Sequence, residues 1–362
     1  MSHKNMQSLI GSWLLPVLLA CLLAGCKKGM IYPTASGRPY EVLVVMPTAM
    51  WEAPAGRALF AVLDTDVPGL PQAERSFRIS QTDPNHFSQT MRIFRNIIQV
   101  NIDPKQFSQT RMKFMRDKYA TDQIVLTINA PSENGLKEFC ETYRQDIVDF
   151  LTRSEMNRLV KLLEKKHSKV AYDLAWQMFA CKLFAPDELK SYKKAKDFFW
   201  ASNNTATGMV NICMYSYPYE GPETFCKEYI LQKRDSVMKE NLPGEQPGMY
   251  VQTDSLYTDV KPIVVHNGYA METRGLWYMK NYMMGGPFVS HSRVDMETGR
   301  VIVVEGFVYA PEKMKRGLIR RLEGSLYTLQ LPSEQYNMEI NTGVEEEKKP
   351  TADAAEKPAA KR

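Results

Sequence analysis

The chain has 362 residues, 44% of them apolar and 24% charged, enough for one large or two ordinary packed domains and too hydrophobic for general disorder. Its 20 glycines, 21 prolines and 6 cysteines exclude a collagen-like, low-complexity or disulfide-scaffold protein. The formal charge of +5 is spread thinly along the chain, so nucleic acid is not expected as a partner.

The first predicted element is a leader. His3 and Lys4 precede an apolar stretch from Leu9 to Leu23 that is interrupted by Gly11, Ser12 and Pro16. A permanent membrane-crossing helix needs about 20 apolar residues, so this shorter stretch reads as a secretory signal over residues 1–25. It ends in Leu23-Ala24-Gly25-Cys26, which resembles the lipobox of bacterial lipoproteins. The resemblance implies cleavage before Cys26, diacylglycerol on its thiol and acylation of the new amine. With about 0.8 kcal/mol per buried CH₂, such chains anchor a protein stably to a membrane. Residues 26–39, with Gly29, Pro33, Gly37 and Pro39, then read as a tether. No acidic run resembling a surface-export signal follows Cys26, so the expected location is the bacterial cell envelope, on the outer membrane facing the periplasm.

In the mature chain, 40–46 is β-branched and stopped by Pro47, the pattern of a buried strand. Trp51, Ala55, Leu59 and Leu63 recur at helical spacing. Strands are predicted at 77–80, 96–102 and 123–129, with a helix over 87–94. Ser132 is placed to cap a helix carrying Leu136, Cys140, Tyr143, Ile147 and Phe150. A second helical stretch, 156–166, carries Lys161, Lys165 and Lys166, a cluster that suits either a solvated face or an acidic partner.

Strands follow at 178–184, 198–201 and 209–217, and Pro222-Glu223 opens a helix through about Glu240. Residues 263–279 read as strand, 288–294 and 300–309 flank a turn, and Pro311 starts a helix with Lys313, Lys315, Arg316, Arg320 and Arg321 along its flank. Both faces of 301–304 are apolar, so that strand is expected at the centre of its sheet. The predicted fold class is α+β, as two lobes of mixed strands and helices with a helical connection: 40–170, including the connecting helices, and 171–332. A disordered C-terminal tail is expected over 343–362, where large apolar residues fade. Cys140, Cys181, Cys213 and Cys226 allow three full pairings, with Cys213–Cys226 one possible contact, or remain free as small apolar residues.

Residues 275–288 form an aromatic strand ending in Gly285-Gly286-Pro287-Phe288. With Arg274, Asp295 and the run from Glu305 to Pro311, this segment resembles a family of Bacteroidetes-type lipoproteins known as domain of unknown function 4837 (DUF4837). Leu70-Pro71-Gln72-x-Glu74, Arg95-Asn96-Ile97-Ile98 and Arg234-Asp235-Ser236 share the resemblance, which spans about 40–330. It implies an anchored envelope protein and supplies no activity and no catalytic residues.

Two functional expectations follow. The first is a non-catalytic binding or assembly module for a protein, peptide or glycan, with Arg274, Trp277, Gly285, Gly286 and Phe288 as its surface. The alternative is an envelope hydrolase using His266, Glu272, His291 and Asp295 as an acid/base set. Ser290 and His291 point to opposite faces of a strand, and the chain has no Gly-x-Ser-x-Gly elbow. Neither His-Glu-x-x-His nor a dinucleotide fingerprint is present, so no metal and no cofactor are expected. Arg274, Arg293 and Arg300 suit either an anion patch or salt bridges to neighbouring acids.

Overall fold

The first sheet of the computed structural model, which describes residues 32–334 and 339–348, grows from the apolar run Glu41–Val45 (β1). β1 pairs in parallel with Arg78–Thr82 (β2) and Asn96–Ile102 (β3), and β3 pairs in parallel with Ile124–Ala130 (β5). Arg111–Arg116 (β4) closes the edge antiparallel to β5, giving the order β2-β1-β3-β5-β4. Thr48–Glu52 (α1) and Pro54–Leu63 (α2) connect β1 to β2, and Gln89–Arg92 (α3) precedes β3. Val42, Val44, Ile98, Leu126 and Ile128 bury one sheet face against Leu59 of α2, Leu136 and Phe139 of Glu133–Thr142 (α4), and Ile147, Phe150 and Met156 of Arg144–Lys165 (α5).

Lys169–Phe179 (α6) opens the C-terminal lobe. Its strands are Ser191–Ala195 (β6), Phe198–Ser202 (β7), Met209–Pro218 (β8), Val251–Val265 (β9), Gly268–Met279 (β10), Gly285–Asp295 (β11) and Arg300–Tyr309 (β12). They form one antiparallel sheet in the order β6-β7-β8-β12-β11-β10-β9. Lys227–Asn241 (α7) covers one face and Arg316–Leu326 (α8) the other. The expected central strand is β12: Val301, Val303 and Phe307 join Met238 of α7 in one core, while Ile302, Val304 and Val308 join Ile319 and Leu322 of α8 in another. The molecule is thus the two-lobed α+β protein its patterning predicted.

Several local expectations are corrected. The strand predicted over 178–184 is replaced by the end of α6, whose Ser168 cap accepts the Ala171 N–H at 3.2 Å and whose end is closed by Ala180 at φ 53°. Residues 263–279 are two strands, because His266 and Asn267 at φ 51° and 61° make a tight turn before Gly268. The helix over 87–94 shrinks to the short α3 after a 3₁₀ turn at Pro84–His86.

The lobes interlock. The segment between α2 and β2 sends Val67 into the C-terminal core, and Glu74 accepts the N–H groups of Lys315 (2.7 Å) and Arg316 (2.9 Å) at the start of α8. A carboxylate there satisfies free amides and opposes the positive helix end. Gly324 of α8 lies so close to α5 that a Cβ would meet Leu159 Cδ2 at 2.4 Å, which only a glycine permits. Of the tail expected from 343 onward, the described part runs along the N-terminal sheet, where Phe114 pairs with Glu346. Arg116 binds both Glu339 and Glu346 there; residues 349–362 lie outside the described residues.

Candidate functional site

Sheet register builds a buried chain of charges beneath α8. Glu272 lies opposite His291 and Arg274 opposite Val289, so Glu272, Arg274 and His291 share the face turned to α8. Arg274 Nη2 donates to Glu323 Oε1 at 2.6 Å and to Glu272 Oε2 at 3.2 Å, and Arg320 Nη1 donates to Glu323 Oε2 at 3.0 Å. The charges therefore alternate as Arg320, Glu323, Arg274, Glu272. Burial by itself would raise Glu272, but Arg274, His291 and Lys261 together hold its carboxyl well below the usual range. His291 Nε2 is 3.8 Å from Glu272 Oε2, too long for a hydrogen bond, and the Tyr327 ring covers its imidazole edge-on at 4.8 Å.

This chain borders a chamber of about 220 Å³ between the lobes. Arg274, Arg320, Glu323 and Tyr327 meet Ser76 and Thr152 of the N-terminal lobe there. Arg274 Nη1, Arg320 Nε, Ser76 Oγ and Thr152 Oγ1 are buried and find no partner among the described residues. Buried donors are normally satisfied. Four such groups around one space leave hydrogen-bonding capacity facing it.

Arg320 also reaches a second, larger space. A groove of about 510 Å³ runs between α5 and α8, lined by Arg38, Arg78, Arg95, Arg158, Arg316, Arg320 and Arg321 with Glu155 as its one acid. Pro39, Tyr40, Leu159, Leu162, Met314 and Leu318 make its apolar lining. Glu155 is taken up locally, by Arg95 at 2.8 and 2.9 Å, Arg158 at 2.9 Å and Asn96 at 2.6 Å. Arg321 pairs with Glu188, whereas Arg38 and Arg78 are exposed and form no ion pair among the described residues. A neighbouring hollow adds Lys161 and Lys165. The basic run at α8 thus faces the groove through Arg316, Arg320 and Arg321, while Lys161 and Lys165 of α5 border the neighbouring hollow.

The other expected residues land elsewhere. Trp277 is buried, donates from Nε1 to Val308 O at 3.2 Å and packs edge-on against Phe307. Phe288 is buried beneath the Arg234 guanidinium; Gly286 is buried, and a Cβ there would strike Val308 O at 2.0 Å. Gly285 is half-buried and would press its Cβ on Trp277 O at 2.7 Å. Arg274 occupies the opposite face from Trp277 and Phe288, so this set does not form an exposed surface.

Of the hydrolase set, Glu272 and His291 adjoin. His266 Nε2 sits 2.9 Å from Tyr327 O, and Asp295 closes the β11–β12 turn by accepting from Glu297 N at 3.2 Å and Thr298 Oγ1 at 2.6 Å. With about 3.3 Å of rise per strand residue, Asp295 lies roughly 13 Å from His291 along β11. His291 is fully buried beneath Tyr327. The four do not share one open cleft.

Arg293 pairs with Glu334 and Arg300 with Asp197, away from Arg274. Cys140, Cys181 and Cys213 are buried with free thiols and Cys226 is exposed and free, so the Cys213–Cys226 contact does not form. Burial pushes the Cys140 and Cys181 thiols up to about 12. No cluster of metal-ligating side chains occurs among the described residues. Cys26 lies outside the described residues.

Fold and site together define a two-module α+β protein with a cationic junction. Residues 168–328 match the model of DUF4837, a domain of unknown function, as the aromatic strand and glycine pair implied. Residues 35–164 match a second model, the domain of unknown function DUF8532. The resemblance expected over about 40–330 is thus divided between two families that meet between α5 and α6. No curated protein matches the chain.

Proposed function

We propose that this chain is a lipid-anchored protein of the bacterial envelope, held on the outer membrane through Cys26 and facing the periplasm. It works as a non-catalytic binding or assembly module, and its receiving face is the groove between α5 and α8. The sequence suggested a protein, peptide or glycan partner; the groove's charge adds that the bound portion is acidic. The observation that carries this reading is the convergence of seven arginines on a groove with one acid, Glu155, already engaged. Guanidinium groups hold carboxylate or phosphate through paired hydrogen bonds, and Arg38 and Arg78 are free to do so. Attachment by acyl chains suits the described part, in which no helix is long and apolar enough to cross a membrane.

Photocrosslinking in living cells tests it. A benzoylphenylalanine at Leu162, at the groove mouth, should form adducts that disappear when Arg38→Glu and Arg78→Glu are added. The same probe at Leu256, on the exposed edge strand β9, should not form them. Equal labelling at both positions, or labelling at Leu162 unaffected by the charge reversals, contradicts the proposal.

A further inference from the structure

The groove combines two chemistries, and together they narrow the ligand. Leu162 is 63% exposed and Met314 66% exposed at its mouth, beside Leu159 and Leu318 on the floor. Large apolar side chains left in water beside unpaired arginines suit a molecule with a greasy body and a charged end. A purely acidic peptide would use the arginines and leave Leu162 and Met314 wet. The chain's own undescribed segments fit poorly, because 349–362 carries four basic residues against two acidic ones and the residues after Cys26 begin Lys27-Lys28.

Position adds a third argument. Arg38 and Pro39, which line the groove with Tyr40, are the last residues of the expected tether. The dozen residues from Cys26 to Arg38 span at most about 40 Å fully extended. If Cys26 is acylated, the groove is confined near a bilayer.

Resting on the reading of the groove as the binding face, we infer that its ligand is an anionic single-chain amphiphile drawn from the membrane. The acyl chain lies on Leu159, Leu162, Met314 and Leu318, and the phosphate is held by Arg38 and Arg78. A groove of about 510 Å³ is of the size that holds one small ligand.

The test uses the mature chain, 26–362, with Cys26→Ser, which keeps every described residue and carries no acyl chain of its own. Native mass spectrometry and calorimetry measure binding of myristoyl-lysophosphatidylglycerol below its micelle concentration. Myristoyl-lysophosphatidylcholine, glycerol phosphate and a glutamate-rich peptide serve as comparators. One lysophosphatidylglycerol should bind per chain, about tenfold or more tighter than each comparator. Leu162→Asp with Met314→Asp, both at exposed positions, should reduce its affinity to that of glycerol phosphate. Arg38→Glu with Arg78→Glu should abolish the preference for the anionic head.

Equal affinity for glycerol phosphate, tighter binding of the peptide, or indifference to the Leu162 and Met314 changes each overturns the inference. If the lysolipid fails while arginine-dependent crosslinking at Leu162 persists in cells, the ligand class is wrong and the binding face stands. If both fail, the face itself is wrong.

Discussion

The seven-stranded sheet carries a buried arginine–glutamate system on each face, and the two are built differently. Beneath α7, Arg234 gives Nε and Nη2 to Glu305 at 2.9 and 2.7 Å and Nη1 to Thr253 Oγ1 at 2.7 Å, with its plane 3.9 Å over Phe288. Each of these nitrogens has a partner. Beneath α8, Arg274 and Arg320 each keep a nitrogen unpartnered beside the interlobe chamber, and Arg320 continues into the arginine groove. The closed system holds the lobe together, whereas the open one leads from the sheet to the surface where charge is left unspent. Satisfaction of donors, more than burial or residue type, separates an anchor from a site.

The largest effect should come from breaking the closed pair. Arg234→Met leaves Glu305 buried and alone, so equilibrium urea unfolding should show a loss of about 3–5 kcal/mol, and adding Glu305→Leu should restore most of it. A double variant as unstable as the single would mean that Arg234 acts through something other than this pair.

A smaller effect belongs to the open chain, and it depends on pH. The folded-state value of Glu272 is depressed, so its contribution is present above its unfolded value and is lost as pH falls through the folded one. Glu272→Gln should therefore cost about 2 kcal/mol near neutrality and give a shallower loss of stability below the usual carboxylate range. Glu305 carries the opposite sign: burial raises it despite Arg234, so its ionisation disfavours the fold as pH rises through the folded value. Acid titrations of stability that are parallel for wild type and Glu272→Gln would remove the distinction between the two faces.

The sequence made the strong apolar elements legible. β1, β3, β5, β8 and β12 were found because both of their faces are covered, which yields continuous apolar runs. β4 and β6 were missed because Arg111, Lys113, Arg116, Lys193 and Lys194 interrupt them at exposed edges. α6 was misread since Met178 and Phe179 sit at its end and Leu183 and Phe184 beyond it, making one apolar stretch across a helix terminus. The hairpin at His266-Asn267 did carry a local sign, Asn267-Gly268, that the alternating run around it obscured.

The site was readable only in pieces. The basic residues of α5 and α8 are each visible as a run, yet nothing local says that Arg316, Arg320 and Arg321 share a groove with Arg158 of α5 while Lys161 and Lys165 border a separate hollow. Arg38, Arg78 and Arg95 are isolated in sequence and meet only because β1, β2 and β3 are neighbours. Of the four residues expected as an acid/base set, Glu272 and His291 adjoin because a hairpin brings them into register. Their burial beneath Tyr327 depends on the docking of α8, which no strand pattern encodes.

The central claim is that Arg38 and Arg78, the groove arginines that form no ion pair among the described residues, are there to bind and not to hold the fold. The most direct measurement is urea unfolding of the Arg38→Glu, Arg78→Glu chain set beside its crosslinking at Leu162. Stability should stay within about 0.5 kcal/mol of wild type while the adducts vanish. A fall in stability of about 2 kcal/mol or more, or adducts that survive intact, would show that these side chains serve the architecture or nothing at all.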